Sequence, residues 1–431
     1  MTRLTLRGGR VVDPSQELDQ VTDLHIADGR VLALGPAPDG FQADQVLDCA
    51  GLVVCPGLVD LRARLREPGQ LHKADIASEV RAAVAGGVTT LVVPPDSDPV
   101  VDTSAVVELV TSRARAQGKA RVHLIGALTK GLAGEEISEM EALREAGCIG
   151  VGNALAPVRN HLVLRRALEY AAGLDLTVFL HPEDPWLAEA GVAHEGAVSL
   201  RLGLAGVPVM AETIALARDL ALVEQSGARA HFCGLSSHRG VRLLARARFD
   251  GLPVTADVTA HHLHLTEMEL LGFNVQAHVR PPLRTQRDRD GLRQALVAGE
   301  IDAVCSDHQP HDLDAKLGPF AETEPGISAL ETLLPLTLRL VEEGVMDLSA
   351  AIAALSLRPA RILGLPVGSL APGRPADVCC FDPKARWTLH PEALVSRGKN
   401  TPFAGWEFQG RVRYTLVDGR LVHRDTTETP T

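Results

Sequence analysis

Arginines stand at positions 62, 64 and 66 of one short stretch that ends Arg66-Glu67-Pro68-Gly69. A guanidinium stays protonated at any working pH and offers donors but no lone pair, so Arg62 and Arg64 cannot ligate a metal ion. They can instead clamp a carboxylate bidentately. The groups able to bind metals or move protons come later: His181 before Pro182-Glu183-Asp184, His231, the cluster His261, His262 and His264, and Asp307-His308-Gln309-Pro310-His311. Buried histidines are usually hydrogen-bonded structural residues, and His231, His261, His262 and His264 are read that way. Cys305 follows apolar Ala303 and Val304 and reads as core rather than as a catalytic thiol. The 7 cysteines show no C-x-x-C spacing, hence no zinc or redox motif.

These residues need a scaffold that brings them together. Short apolar runs rich in Val, Leu or Thr occur at 52–61, 89–94, 121–127, 148–153, 176–181, 228–234, 253–259 and 301–307. Such runs suit buried parallel strands. Helical patterns separate most of them, for example 73–85, stopped by Gly86-Gly87, and 104–117, preceded by an Asp102-Thr103 capping signal. The alternation predicts an α/β fold, a (β/α)8 TIM barrel over residues 56–364. The flanks, 1–55 and 365–431, hold short strand patterns split by turn signals such as Asp28-Gly29 and Asp418-Gly419. Neither flank alone makes a stable core. Packed together they give one small β-sandwich domain built from both chain ends. The last six residues or so read as disordered, and the mixed-charge run 284–290 as a solvated helix start.

A formal net charge of −11 argues against a general nucleic-acid binder or a basic membrane-surface protein. No apolar stretch approaches the roughly 20 residues needed to span a bilayer, and no signal-peptide core follows Met1. A cytoplasmic protein is expected.

The chain resembles the dihydroorotase branch of the cyclic amidohydrolases. The likeness rests on Arg66-Glu67-Pro68-Gly69, His181-Pro182-Glu183-Asp184, Thr259-Ala260-His261-His262, Pro281-Pro282-Leu283-Arg284, Asp307-His308-Gln309-Pro310-His311 and Pro325-Gly326-Ile327, in the family's order. The resemblance implies a step of pyrimidine synthesis, the interconversion of dihydroorotate and N-carbamoyl-aspartate. In active members a metal-bound hydroxide attacks the ring amide and an aspartate shuttles the proton; metals suit this by lowering the pKa of bound water.

Against that pattern this chain departs at most of the ligand positions. Arg62 and Arg64 replace the two histidines of the first strand, Asn153 the bridging carboxylate, and Gly234 the sixth-strand histidine. Only His181 and Asp307 remain; His238 is a weak substitute because it falls beyond the strand end. Among substrate-holding positions Arg66 and His311 are kept, while Asp96 and Arg280 replace asparagines. A carboxylate at Asp96 would repel an anionic substrate. Without a metal, a buried Asp307 would be an unpaired charge. Arg62 or Arg64 is therefore expected to fill the metal volume and pair with it. Two functions follow from the resemblance. One is a pseudoenzyme with no metal cofactor, a structural or regulatory partner of aspartate transcarbamoylase in an oligomer. The other is an active cyclic amide hydrolase using a reduced one-metal site, with zinc as cofactor, Asp307 as proton shuttle and Arg66 and His311 on substrate.

Overall fold

The computed structural model describes residues 3–425; the C-terminal tail expected to be disordered lies outside them, as do Met1 and Thr2. Strands β1 (Leu4–Asp13), β2 (Leu18–Ala27), β3 (Arg30–Leu34), β4 (Gln45–Asp48) and β5 (Val53–Pro56) come first. The central strands are β6 (Leu58–Asp60), β7 (Val88–Val93), β8 (Arg121–Ala127), β9 (Gly150–Gly152) and β10 (Thr177–Leu180). After a small pair, β11 (Ala193–His194) and β12 (Gly206–Val207), come β13 (Ala230–Phe232), β14 (Val254–Thr259) and β15 (Ala303–Cys305). The tail adds β16 (Val378–Thr388), β17 (Glu407–Val417) and β18 (Arg420–Arg424).

Strands β6 to β10 and β13 to β15 form one parallel eight-stranded sheet in chain order. Its two edges meet just beyond the strand ends. There Arg64 N donates to His308 O at 2.9 Å and His308 N to Arg62 O at 3.2 Å. The site residues thus lie where the barrel closes.

The apolar run 52–61 is not one strand. It divides at Gly57: β5 joins the terminal sheet and β6 opens the barrel. That terminal sheet is also eight-stranded and unites both chain ends, β5 lying between β1 and β16. It is hydrogen-bonded as one continuous sheet that curls until the β2–β3 turn meets the β17–β18 turn, where Gly419 N donates to Ala376 O and Ala376 N to Gly29 O. Alternation in β16 explains its unbroken apolar sequence. Val378 and Cys380 face the small core with Leu6, Leu24 and Leu416, whereas Cys379 and Phe381 belong to the barrel core.

One helix start and one cap differ from expectation, while the helix Ser104–Gln117 keeps its expected bounds. α1 (Ile76–Ala85) begins three residues late because Asp75 makes a capping box with Ser78, accepting from Ser78 N at 2.7 Å. α2 (Ser104–Gln117) has Thr103 at its cap position, but no side chain caps it; Asp102 instead accepts from Gly131 N at 2.9 Å. The remaining helices are α3 (Met140–Glu145), α4 (His161–Gly173), α5 (Pro185–Ala188), α6 (Ala197–Leu202), α7 (Val209–Ser226), α8 (His238–Phe249), α9 (Gln286–Ala298), α10 (Leu333–Glu342), α11 (Leu348–Leu355) and α12 (Leu357–Leu363). Ahead of α9, Arg284 is buried rather than solvated, and donates to Val207 O at 2.6 Å and Ser236 Oγ at 3.2 Å. Residues 389–406, counted with the terminal sheet, return to the barrel mouth: Asn400 Oδ1 accepts from His311 N at 2.8 Å and Ser396 Oγ donates to Glu79 Oε2 at 2.7 Å.

Candidate functional site

Asp307 follows β15 with its backbone in the left-handed region, φ 45°, and its side chain is 3% exposed. Both arginines from the end of β6 converge on it. Arg62 Nε lies 2.8 Å from Asp307 Oδ1, though its N–H is not aimed at that oxygen, so the contact is Coulombic more than a hydrogen bond. Arg64 Nη1 donates to the same oxygen at 3.0 Å, and Arg64 Nε donates to Asp96 Oδ2 at 2.8 Å. Gln309 Nε2 donates to Asp307 Oδ2 at 3.1 Å, so both carboxylate oxygens are occupied. Asp96 is therefore not a bare repulsive charge but the second anion of the Arg64 pair.

Arg62 also reaches the next wall, with Nη2 3.9 Å from Asp257 Oδ1. Asp257, an aspartate inside the apolar strand β14, accepts from Gly234 N at 2.7 Å and from His231 Nε2 at 2.9 Å. Burial pushes the Asp257 carboxyl up, but Arg62 and His231 outweigh it and hold it near a pKa of about 2. Burial likewise opposes the Arg62 charge, and Asp307, Cys305 and Asp257 more than restore it, leaving that guanidinium well above its ordinary value. Sequence reasoning missed Asp257; a lone carboxylate in an apolar strand was the available signal.

Gly234 makes room for this arrangement. A Cβ there would stand 2.6 Å from Arg62 Nη2, and the residue's φ is +66°. A histidine at this position and the Arg62 guanidinium thus compete for one volume. Asn153 lies just past β9, but its amide serves the neighbouring loop. Its Oδ1 accepts from Thr129 Oγ1 at 2.8 Å, and its Nδ2 donates to Ala156 O at 3.0 Å and Leu132 O at 3.2 Å. His181 keeps its place after β10; Nδ1 donates to Cys233 O at 3.4 Å, while Nε2 is buried without a hydrogen-bond partner, 3.8 Å from Glu183 Oε2. His238 opens α8, turned toward Gly291 and away from the barrel mouth.

The cavity over these side chains, lined by Arg62, Arg64, Phe179, His181 and Cys233, measures about 30 Å³. Pockets for small organic ligands run to roughly 300–1,000 Å³. The donor set does not suit a divalent metal. Among the described residues, His181 Nε2 in this cavity has no hydrogen-bond partner, but Asp307 is held by two guanidiniums and Arg62 brings positive charge into the same volume. His231, Cys233 and Asp257 also lie close enough to share an ion, yet Asp257 and His231 are bonded to each other and Arg62 stands at 3.9 Å.

The rim is different. Arg66, φ 62°, donates to Pro310 O and to Gln70 Oε1, both at 2.9 Å. Its Nη2 is 3.3 Å from His311 Nε2, whose own N–H donates to Pro325 O at 3.0 Å. Among the described residues no carboxylate pairs with it directly, and burial together with Arg64 lowers the Arg66 pKa to about 10. Arg280 does not face the Asp307 cluster; it pairs with Glu183, Nε to Oε1 at 2.9 Å. His262 is structural, accepting from the Thr259 hydroxyl at 2.6 Å, and His264 Nε2 donates to Leu336 O at 2.8 Å. His261 is buried with Nδ1 unpartnered.

Residues 51–240 match the family model described as dihydro-orotase-like, and 323–423 match an amidohydrolase family model. A dihydroorotase-like protein of Pseudomonas aeruginosa is 54% identical over 420 residues, covering 97% of this chain and 99% of its own. The chain belongs to the dihydroorotase-like family of the amidohydrolase superfamily. A protein named dihydroorotase from Geobacter metallireducens is 42% identical over 421 residues, 98% of this chain and 99% of its own. Among solved structures, an L-hydantoinase from Arthrobacter aurescens superimposes with a TM-score of 0.89 at 22% identity, covering 100% of this chain and 98% of that one. That likeness fixes the fold.

Proposed function

We propose that this dihydroorotase-like chain is a catalytically silent member of its family, without a resident metal, that serves as a structural or regulatory subunit of aspartate transcarbamoylase in cytoplasmic pyrimidine biosynthesis. One observation carries this reading: the Arg62 guanidinium lies against Asp307 and Asp257, in the volume that a metal would need. Cationic side chains neutralise the carboxylates that a metal would otherwise neutralise, but they supply no bound water to act as nucleophile. The barrel then remains a rigid body able to dock. The test is to mix the purified chain with the catalytic chain of aspartate transcarbamoylase from the same organism and follow assembly by sedimentation velocity. A complex of fixed stoichiometry is expected; no complex, together with dihydroorotate turnover by this chain alone, contradicts the reading.

A second reading is an active cyclic amide hydrolase with one zinc. It draws on the unpartnered His181 Nε2 and on the kept Arg66 and His311. It requires the Arg62 side chain to leave Asp307, and zinc-dependent ring opening by the untreated protein would favour it.

A further inference from the structure

Helix α7 is apolar on its outer side until the last turn, where exposed Glu224 and Gln225 end the stripe. Its inner face buries Ala215, Leu216, Leu220 and Val223, together with Glu212 and Asp219. Its outer face presents Met210, Ile214, Ala217 and Ala221, spaced four, three and four residues apart and all exposed. An outer barrel helix ordinarily carries polar side chains toward water. Beside the start of α7, Asp184 N at the cap of α5 donates to Ala211 O at 2.7 Å, so α5, which carries Trp186 at 68% exposure, packs on α7. Arg159, just before α4, stacks over the Trp186 ring at 4.8 Å, and Leu162 in the first turn of α4 is exposed as well.

The helices packed on either side of α7, α4 and α8, are rich in arginine. On α4, Arg165 pairs with Glu169, and on α8, Arg246 pairs with Asp250. Exposed Arg166, Arg239 and Arg242 have no carboxylate within ion-pair reach among the described residues. An apolar strip bordered by unpaired guanidiniums is unexpected on a chain of net charge −11. Trp and Arg are also the side chains that most often anchor protein interfaces. Symmetric self-association through α7 would set arginine flanks against arginine flanks, which disfavours a second copy.

We propose that the α4–α7–α8 face is the surface by which this chain docks a different polypeptide, one that presents apolar side chains ringed by carboxylates. The proposal rests on the subunit reading above and names the surface that reading leaves open. Titration with the aspartate transcarbamoylase catalytic chain tests it, using full-length Ile214→Glu and the double variant Arg239→Glu/Arg242→Glu, each first shown to melt like the parent. Both variants should weaken the complex about tenfold or more, as expected for central and oppositely charged contacts. The parent complex should weaken with salt over about 50 to about 500 mM, and the arginine variant should lose that dependence. Parental affinity in both variants overturns the proposal and leaves the subunit reading standing. Self-association of the parent that Ile214→Glu abolishes also overturns it, since the occupant is then a second copy. Absence of any complex removes the subunit reading and this surface with it.

Discussion

The floor of the barrel mouth and its rim balance buried charge in different ways. On the floor, Arg62, Arg64, Gly234 and Gln309 fit one another: two guanidiniums share Asp307, a glycine clears space for one of them, and an amide takes the remaining oxygen. On the rim, Arg66 and His311 keep their identities, yet Arg66 donates to its own chain and has no direct anionic partner. The difference teaches where charge balance constrains a buried site most tightly. Buried carboxylates need a replacement cation at once, because an uncompensated buried charge costs several kcal/mol. A partly buried arginine such as Arg66 can be satisfied by a backbone carbonyl and a side-chain amide instead.

The largest effect should come from breaking the floor. Asp307→Ala takes the nearest anion from buried Arg62 and leaves buried Arg64 with Asp96 alone, and should cost about 3–5 kcal/mol in chemical denaturation; a loss below about 1 kcal/mol would mean that the pairs contribute little. Next, Gly234→His should cost about 1–3 kcal/mol by overpacking against Arg62. Combining it with Arg62→His and Arg64→His should relieve that cost and create zinc-dependent stabilisation, read as a rise in Tm with added zinc. If the single and triple variants melt alike and zinc changes neither, the shared-volume argument fails.

Between floor and rim stands Glu183. Burial pushes its carboxyl up, but His181 and Arg280 outweigh it and hold it at about 2. A folded-state pKa below the unfolded one stabilises above the unfolded value and is lost as pH falls. Acid unfolding should therefore draw on Glu183 between its ordinary 4.5 and about 2. Arg280→Gln should move the onset seen by circular dichroism to higher pH, and an unchanged onset would assign acid stability elsewhere. The smallest effect belongs to the rim: Arg66→Met exchanges a poorly compensated buried charge for apolar volume and should change stability by less than about 1 kcal/mol. A larger loss would show that the rim is as coupled as the floor.

Much of this was legible because it rests on periodicity and on charge. Short Val- and Leu-rich runs gave the barrel, and a buried Asp307 without metal demanded a cation that only Arg62 and Arg64 could bring. What escaped depends on distant segments meeting. Asp257 and Gln309 meet the arginines only when the barrel closes, so neither announces a partner in sequence. Asp96 looked like a repulsive charge until Arg64 was beside it. The run 52–61 looked like one strand because the residues flanking Gly57 are buried in both sheets, and apolarity does not say which. Residues 389–406 carry polar groups that turn back to bond His311 and Glu79, a return no local pattern signals.

The central claim is that guanidinium charge has displaced metal charge at Asp307. Elemental analysis of the purified chain after equilibration with zinc, alongside a dihydroorotate ring-opening assay, tests it most directly. The account predicts no stoichiometric zinc and no turnover. One zinc per chain with measurable ring opening would contradict it.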